Sequence, residues 1–163
     1  MTAIELADAE DIDALATLWV GLVRSQRQHG AHLEAESNEA TARDVIGRYV
    51  AADDLLVARE AGQLLGFAMV HVETGMYHQD VTRGVIDNVY VRPPDRDRGL
   101  GTDLVEAAEA HLGAAGAEVV TLSVLAANAD ARRFYERLGY EPHRLELEKD
   151  IANDTTTNEP EES

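Results

Sequence analysis

Arg96, Gly99 and Gly101 lie in a six-residue stretch, Arg-Asp-Arg-Gly-Leu-Gly, that joins a strand-like segment to a helical one. The strand-like segment is Val85 to Arg92, and a strongly helical pattern begins near Thr102. A helix N-terminus carries unpaired N–H groups and a partial positive charge, and glycine lets an anion approach the backbone closely. The stretch therefore predicts a cradle for a phosphate or diphosphate group.

The Gly-x-Gly spacing is weak evidence by itself, because many strand-to-helix turns contain glycine for backbone reasons alone. The chain has no Gly-x-x-x-x-Gly-Lys-Ser/Thr, and Leu104 stands where a Gly-x-Gly-x-x-Gly pattern requires its third glycine. These departures disfavour a nucleoside triphosphatase and a dinucleotide-dependent dehydrogenase.

A second motif follows the next strand-like segment and has five members: Asn128, Ala131, Tyr135, Gly139 and Tyr140. Each has a structural reading, since Asn128 can be a helix N-cap, Gly139 a left-handed C-cap and Tyr135 a packed ring. Taken with the first motif, however, the order and spacing resemble the GNAT superfamily of acyl-CoA-dependent N-acyltransferases. That superfamily has a phosphate loop Arg/Gln-x-x-Gly-x-Gly/Ala and a later Asn-x-x-Ala…Tyr…Gly-Phe/Tyr helix. The resemblance covers roughly residues 2–149 and is specific over 85–140.

The resemblance implies an α/β fold with a mixed, strongly twisted central sheet and the element order β-α-α-β-β-β-α-β-α-β. The fourth and fifth strands would splay apart, and acetyl-CoA, the implied cosubstrate, would lie between them. Its pantetheine arm would pair with backbone like an added strand, and its diphosphate would lie on the loop. The cofactor-binding residues implied are Val89, Val91, Arg96, Arg98, Gly99, Leu100, Gly101, Thr102, Asn128 and Arg132.

The implied activity is transfer of an acetyl group to a primary amine by direct attack in a ternary complex, without a covalent intermediate. Tyr135 matches the residue that usually partners the departing thiolate in this family, and the backbone N–H of Val89 is a candidate oxyanion donor. An ordinary tyrosine is a weaker acid than a thiol by about 2 kcal/mol, which favours hydrogen-bond donation over full proton transfer. The alternative is a non-catalytic acyl-CoA-binding sensor or regulatory module.

The general base is less well indicated. Members of the family place the glutamate that acts as general base at one of two positions, and here these positions are occupied by Val85 and Ser123. Asp87 is the nearest acid on the central strand, and period-two alternation predicts that it shares a face with Val85, Val89 and Val91. A partly buried carboxylate there could accept the amine's proton directly or through water, or it could be a structural partner of backbone or arginine.

The remaining segments supply the scaffold that positions these residues. We expect a domain over residues 1–149 and an acidic, disordered tail over 150–163. The expected elements outside the motifs are a strand Ala3–Ala7, a helix capped by Asp8, a helix from Asn38 to Ala51, a hairpin of Leu55–Arg59 with Leu64–Glu73, a strand Val119–Leu125 and a last extended run Tyr140–Glu148.

The charge of the chain is strongly acidic. Its formal net charge is −17, beyond the magnitude of about 2–8 typical of a small domain, and such self-repulsion destabilises a fold unless salt screens it. We therefore expect a halophile's protein; an ordinary acidic protein with cationic partners is the alternative. The chain lacks the basic stripe that phosphate contacts to nucleic acid require, so no nucleic-acid partner is expected.

The absence of cysteine excludes disulfides, thiolate metal sites and a cysteine nucleophile. His29 and His32 have no third ligand nearby, so no metal site is predicted. With no targeting pattern and no long apolar run, we expect a cytoplasmic protein with no membrane partner. The acceptor amine stays open between small molecules, lysine side chains and protein N-termini, and a homodimer through edge strands is expected only by analogy.

Overall fold

Residues 1–152, which the computed structural model describes, form five strands and four α-helices. Residues 153–163, most of the predicted disordered tail, lie outside this description. The elements are β1 (Ala3–Leu6), α1 (Ile12–Arg27), α2 (Glu39–Ala51), β2 (Leu55–Glu60), β3 (Gln63–Val72), β4 (Arg83–Val91), α3 (Leu100–Ala114), β5 (Val119–Leu122) and α4 (Ala129–Arg137). No helix within residues 1–152 is long and apolar enough to cross a membrane.

The strands form one sheet in the order β1-β2-β3-β4-β5, with β1 to β4 antiparallel and β5 parallel to β4. The last pair, β4 with β5, runs only from Arg83↔Val119 to Ile86↔Leu122. Beyond Ile86, residues Asp87–Val91 continue β4 without a paired strand on that side, and we call them the open edge of β4. This confirms the splay predicted between the fourth and fifth strands, although β5 ends at Leu122 rather than Leu125.

Alternation of side chains along the strands divides the core into two layers. Phe67, Met69 and Tyr90 pack against α1 and α2 on one face of the sheet. Ala68 and Ile86 belong to the layer beneath α3 on the other face. In α3 the buried residues recur at the 3.6-residue period of a helix and hold it to the sheet; they are Leu100, Leu104, Val105, Ala108 and Leu112.

The predicted last strand, Tyr140–Glu148, is wrong: residues 141–150 have no strand structure and are exposed. Leu145 and Leu147 are 81% and 89% exposed. Period-two alternation favours a strand only when an edge is available for pairing, and this segment pairs with no strand of the described chain. Pro142 removes one main-chain donor, and Glu148 instead hydrogen-bonds His32 at 2.7 Å.

Candidate active site

The loop that joins β4 to α3 presents an uncapped helix start. It passes through a 3-10 turn at Pro93–Asp95 and takes left-handed backbone at Asp97, with φ 65°, and at Gly99, with φ 82°. Gly99 is the N-cap of α3 and makes no side-chain cap. The N–H groups of the first turn therefore have no intrahelical acceptor, which is the arrangement that binds diphosphate. α3 begins at Leu100, two positions before the expected start.

The two arginines of this loop are held by the protein itself. Arg98 donates to Glu60 at 2.8 Å and to the buried Asp95 at 3.3 Å. Hydrogen bonds from Thr2 and then from Arg98 hold the pKa of Glu60 below its usual value. The side chain of Arg98 thus ties the loop to the end of β2.

Arg96 lies nearer the open edge. Its Nε donates to the Val91 carbonyl at 2.9 Å, and its guanidinium stands 5.5 Å from the centre of the Tyr90 ring. The side chain is exposed. Arg96 therefore fixes the loop against β4.

Gly101 has a packing role that the motif does not reveal. A Cβ there would come within 3.3 Å of Cζ in the Phe134 ring, which α4 packs against α3. Gly101 therefore sets how closely α4 approaches the phosphate loop, whatever ligand the loop binds. A bulky residue at this position would displace α4 as well as block the loop.

Main-chain groups of the open edge point away from β3 at two positions. The Arg92 N–H donates to the Leu65 carbonyl at 2.9 Å, so Leu65 and Arg92 are a hydrogen-bonded pair. Because hydrogen-bonded and non-hydrogen-bonded pairs alternate in an antiparallel ladder, the pairs Gly66↔Val91 and Ala68↔Val89 are of the second kind. The N–H and C=O groups of Val89 and Val91 therefore face the side that β5 has left.

The α4 motif residues make local contacts. Asn128 Oδ1 accepts from the Ala131 N–H at 3.1 Å, so the N-cap interpretation is correct. Arg132 donates to the Ala126 carbonyl at 3.1 Å and braces the turn before α4. The side chain of Arg132 thus fixes the turn, and that of Asn128 caps α4.

Tyr135 lies in an aromatic cluster that packs against the core layer beneath α3. Its ring packs edge-on against Phe134, with centroids 5.0 Å apart, and against Tyr140 at 5.9 Å. Burial raises the pKa of Tyr135 above its usual value. Burial and a 2.7 Å hydrogen bond donated to Glu109 also raise the pKa of Tyr140. Both phenols are therefore protonated donors at neutral pH.

Asp87 occupies a β-bulge that changes its face. The register with β3 shifts between Met69↔Asn88 and Val70↔Ile86, so no residue of β3 lies opposite Asp87 in the ladder. The predicted shared face with Val85 is confirmed, because Val85 pairs with His71 and Asp87 contacts that histidine. The predicted shared face with Val89 and Val91 is wrong, because those valines pack in the α3 layer while Asp87 contacts Tyr49 of α2. An extra residue in one strand reverses the alternation beyond it.

Sequence reasoning missed two side chains that meet Asp87. The Tyr49 hydroxyl donates to Asp87 Oδ2 at 2.9 Å, and His71 Nδ1 lies 2.7 Å from the same oxygen. Burial and the Asp87 contact raise the pKa of Tyr49 to about 12. Period-two spacing with Phe67 and Met69 could have placed His71 on the face of the sheet that α1 and α2 cover. No motif in the sequence indicated that His71 contacts Asp87.

Comparisons with known proteins agree with this geometry. The model of the acetyltransferase (GNAT) family matches residues 12–140. The aminoalkylphosphonate N-acetyltransferase of Salmonella typhimurium is 27% identical over 143 residues, which cover 88% of this chain and 87% of that protein.

Solved structures show the same fold. A GCN5-related N-acetyltransferase from Ralstonia eutropha JMP134 has a TM-score of 0.74 and 25% identity, over 93% of this chain and 99% of that one. A predicted acetyltransferase from Clostridium acetobutylicum, solved with acetyl-CoA, has a TM-score of 0.73 and 18% identity, over 94% and 98%.

Proposed function

Because this chain belongs to the acetyltransferase (GNAT) family, we propose that it moves an acetyl group from acetyl-CoA to a small primary amine by direct attack in a ternary complex. Family membership makes the chain an acetyl-CoA-dependent N-acetyltransferase; the acceptor, the route and the residue roles are the proposal. The observation that carries it is the open edge of β4, which ends beside the uncapped start of α3.

The donors and acceptors at this place suit the chemistry of coenzyme A. The main-chain groups of Val89 and Val91 face outward, so the two amides of pantetheine can pair with them as a short added strand. The N–H groups of Gly99, Leu100, Gly101 and Thr102 then receive the diphosphate at the positive end of the α3 dipole. Arg96 releases the Val91 carbonyl, or shares it, when pantetheine is bound.

The reaction needs stabilisation of two developing negative charges. The amine attacks the thioester carbon, and the Val89 N–H supports the oxyanion. The C–S bond then breaks, and Tyr135 donates a hydrogen bond to the departing thiolate. The raised pKa of Tyr135 keeps the phenol protonated, so a hydrogen bond rather than a completed proton transfer is the expected contribution.

The acceptor class is proposed from the relatives. The Salmonella protein is named for an aminoalkylphosphonate, a small primary amine. A small amine also needs no extended docking surface, and it can approach the thioester from the α2 face at the bulge. A lysine side chain or a protein N-terminus is the competing acceptor, and the assay below includes both.

The test combines coenzyme binding with turnover. Isothermal titration with CoA should give binding, and thiol release from acetyl-CoA should depend on an amine in a panel of aminoalkylphosphonates, amino sugars, amino acids, polyamines and peptides. Tyr135→Phe should lower kcat by about 10²-fold with little change in CoA affinity. Tyr77→Phe is the matched control, because Tyr77 is 86% exposed on the β3–β4 loop.

Each result is decisive for one part of the proposal. CoA binding without amine-dependent thiol release would favour the non-catalytic acyl-CoA-binding module. Equal turnover by Tyr135→Phe and the wild type would remove Tyr135 from the mechanism. Acetylation confined to peptides would refute the small-amine acceptor and leave the transferase intact.

A further inference from the structure

Three side chains from three separate elements meet at the bulge of β4. His71 comes from β3, Asp87 from β4 and Tyr49 from α2. A single oxygen joins them, since Asp87 Oδ2 lies 2.7 Å from His71 Nδ1 and accepts from the Tyr49 hydroxyl at 2.9 Å. The cluster lies on the face of the sheet opposite the α3 layer.

The bulge places this cluster at the opening of the sheet. Pairing between β4 and β5 ends at Ile86↔Leu122, and Asp87 is the next residue. Asp87 is exposed as a residue although its side chain is only 25% exposed, so the exposure is largely in its backbone. The carboxylate thus points toward α2, while the main chain of β4 from Asp87 onward has no paired strand on the β5 side. Asp87 lies two residues before Val89.

The hydrogen bonds determine which group is free to accept a proton. Asp87 Oδ2 accepts from the Tyr49 hydroxyl and also lies 2.7 Å from His71 Nδ1, which leaves that oxygen little room to accept a further proton. If His71 gives its Nδ1–H to Asp87, its Nε2 carries the lone pair, because a neutral imidazole has one donor and one acceptor nitrogen. Nε2 has no hydrogen-bond partner among residues 1–152, and the ring is 38% exposed.

We infer that His71 is the general base of the acetyl transfer and that Asp87 is a positioning residue that holds the imidazole through Nδ1–H. This inference rests on the proposed function. As the amine nitrogen forms its bond to the thioester carbon, one N–H proton passes to His71 Nε2. The electron pair of the breaking C–S bond leaves on sulfur, and the proton on His71 returns to solvent, from which the thiolate is reprotonated.

Tyr49 completes the arrangement from the helix side. Its hydroxyl fixes the Asp87 carboxylate from α2 and stays protonated, because burial and Asp87 raise its pKa to about 12. Asp87 from β4 contacts the imidazole, and Tyr49 from α2 contacts that carboxylate. Farther along the same two strands, Glu73 and Arg83 bring one charge of each sign, with Arg83 Nε 3.7 Å from Glu73 Oε1. Asp54, which precedes β2, acts on Tyr49 through its charge.

The first experiment needs no acceptor. Diethyl pyrocarbonate acylates unprotonated imidazole nitrogens, and mass spectrometry measures each histidine separately. Saturating acetyl-CoA should slow modification of His71 at least fivefold and leave His143, an exposed residue far along the chain, unchanged. Equal rates at His71 with and without acetyl-CoA would overturn the inference, whereas failure of the wild type to bind acetyl-CoA would refute the proposed function.

The second experiment uses the best amine from the panel. His71→Gln should lower kcat by at least 10²-fold and abolish the acidic limb of the kcat/KM pH profile, with CoA affinity retained. Asp87→Asn should give a smaller loss and a shifted limb, because the imidazole remains but loses its anionic partner. His143→Gln is the matched control.

Two further readouts separate catalysis from folding. Urea unfolding should place His71→Gln near the wild type, and added imidazole should restore part of the activity of His71→Gly. An unchanged pH limb in His71→Gln, or an Asp87→Asn variant more impaired than His71→Gln, would overturn the assignment of the base to His71. The latter result would return that role to Asp87.

Discussion

Replacing Gly66 with alanine is expected to push β3 and β4 apart beside the open edge. A Cβ on Gly66 would overlap the Tyr90 carbonyl oxygen and lie 3.2 Å from Val91 Cα and from Leu104 Cδ1. The atoms in the way on β4 belong to the main chain, so the strand itself must move by about 1 Å to restore an ordinary C···O contact. Overpacking costs about 1–3 kcal/mol, and the lower entropy of an unfolded alanine offsets about 0.4–1 kcal/mol. We expect a net loss of about 1–2 kcal/mol in the free energy of unfolding.

The same displacement should weaken coenzyme binding. Val89 and Val91 supply the outward main-chain groups to which we assign pantetheine, and hydrogen bonds weaken steeply when their geometry changes. Loss of bonds each contributing about 1 kcal/mol should raise the Kd for CoA by about tenfold. Gly66 does not contact CoA in the proposed complex, so the loss of CoA affinity would result from the displacement of β4.

Urea unfolding and isothermal titration with CoA measure the two effects. Gly113→Ala on α3 is the matched control, because a Cβ there meets nothing within 4 Å, and alanine is the better helix former. Wild-type stability and wild-type CoA affinity in Gly66→Ala would refute both the close pairing with Val91 and the role of the open edge. Lower stability with unchanged affinity would refute the role of the open edge alone.

Three further predictions concern the bulge, the charge and the last segment. Tyr49→Phe should lower the free energy of unfolding by about 1 kcal/mol at neutral pH. The raised pKa of Tyr49, about 12, means that this stabilisation is full below the unfolded value near 10 and is lost as the pH rises toward 12, so wild type and variant should converge there in urea titrations. Raising KCl from about 0.1 M to about 2 M should raise the thermal midpoint, because screening relieves the repulsion of the −17 charge; an unchanged or falling midpoint would contradict a halophilic protein. Leu145→Ser should change the free energy of unfolding by less than about 0.5 kcal/mol, and a loss of several kcal/mol would mean that this segment packs as a strand after all.

The two motifs and the scaffold around them could be predicted from short windows of sequence. The glycine loop, the α3 stripe and the Asn128 cap each depend on residues within a few positions of one another, where backbone conformation and capping are decided locally. The family resemblance that these motifs carry then implied the fold, including the splay between β4 and β5.

Contacts between distant residues were decided by the tertiary structure. A single extra residue in β4 separates the face of Asp87 from that of Val89, so Asp87 meets His71 and Tyr49 on the α2 side, whereas alternation alone placed it with Val89. The partnership of Arg98 with Glu60 and the packing of Gly101 on Phe134 likewise depend on how separate elements approach each other.

The same distinction explains the strand that failed to form between Tyr140 and Glu148. Its alternating residues determine only that an extended conformation is compatible with the segment. A strand also needs a neighbouring edge to satisfy its N–H and C=O groups, and whether one lies within reach depends on where the rest of the chain has packed. Sequence thus determined the local conformations and the chemistry available, and the fold decided which of those groups meet.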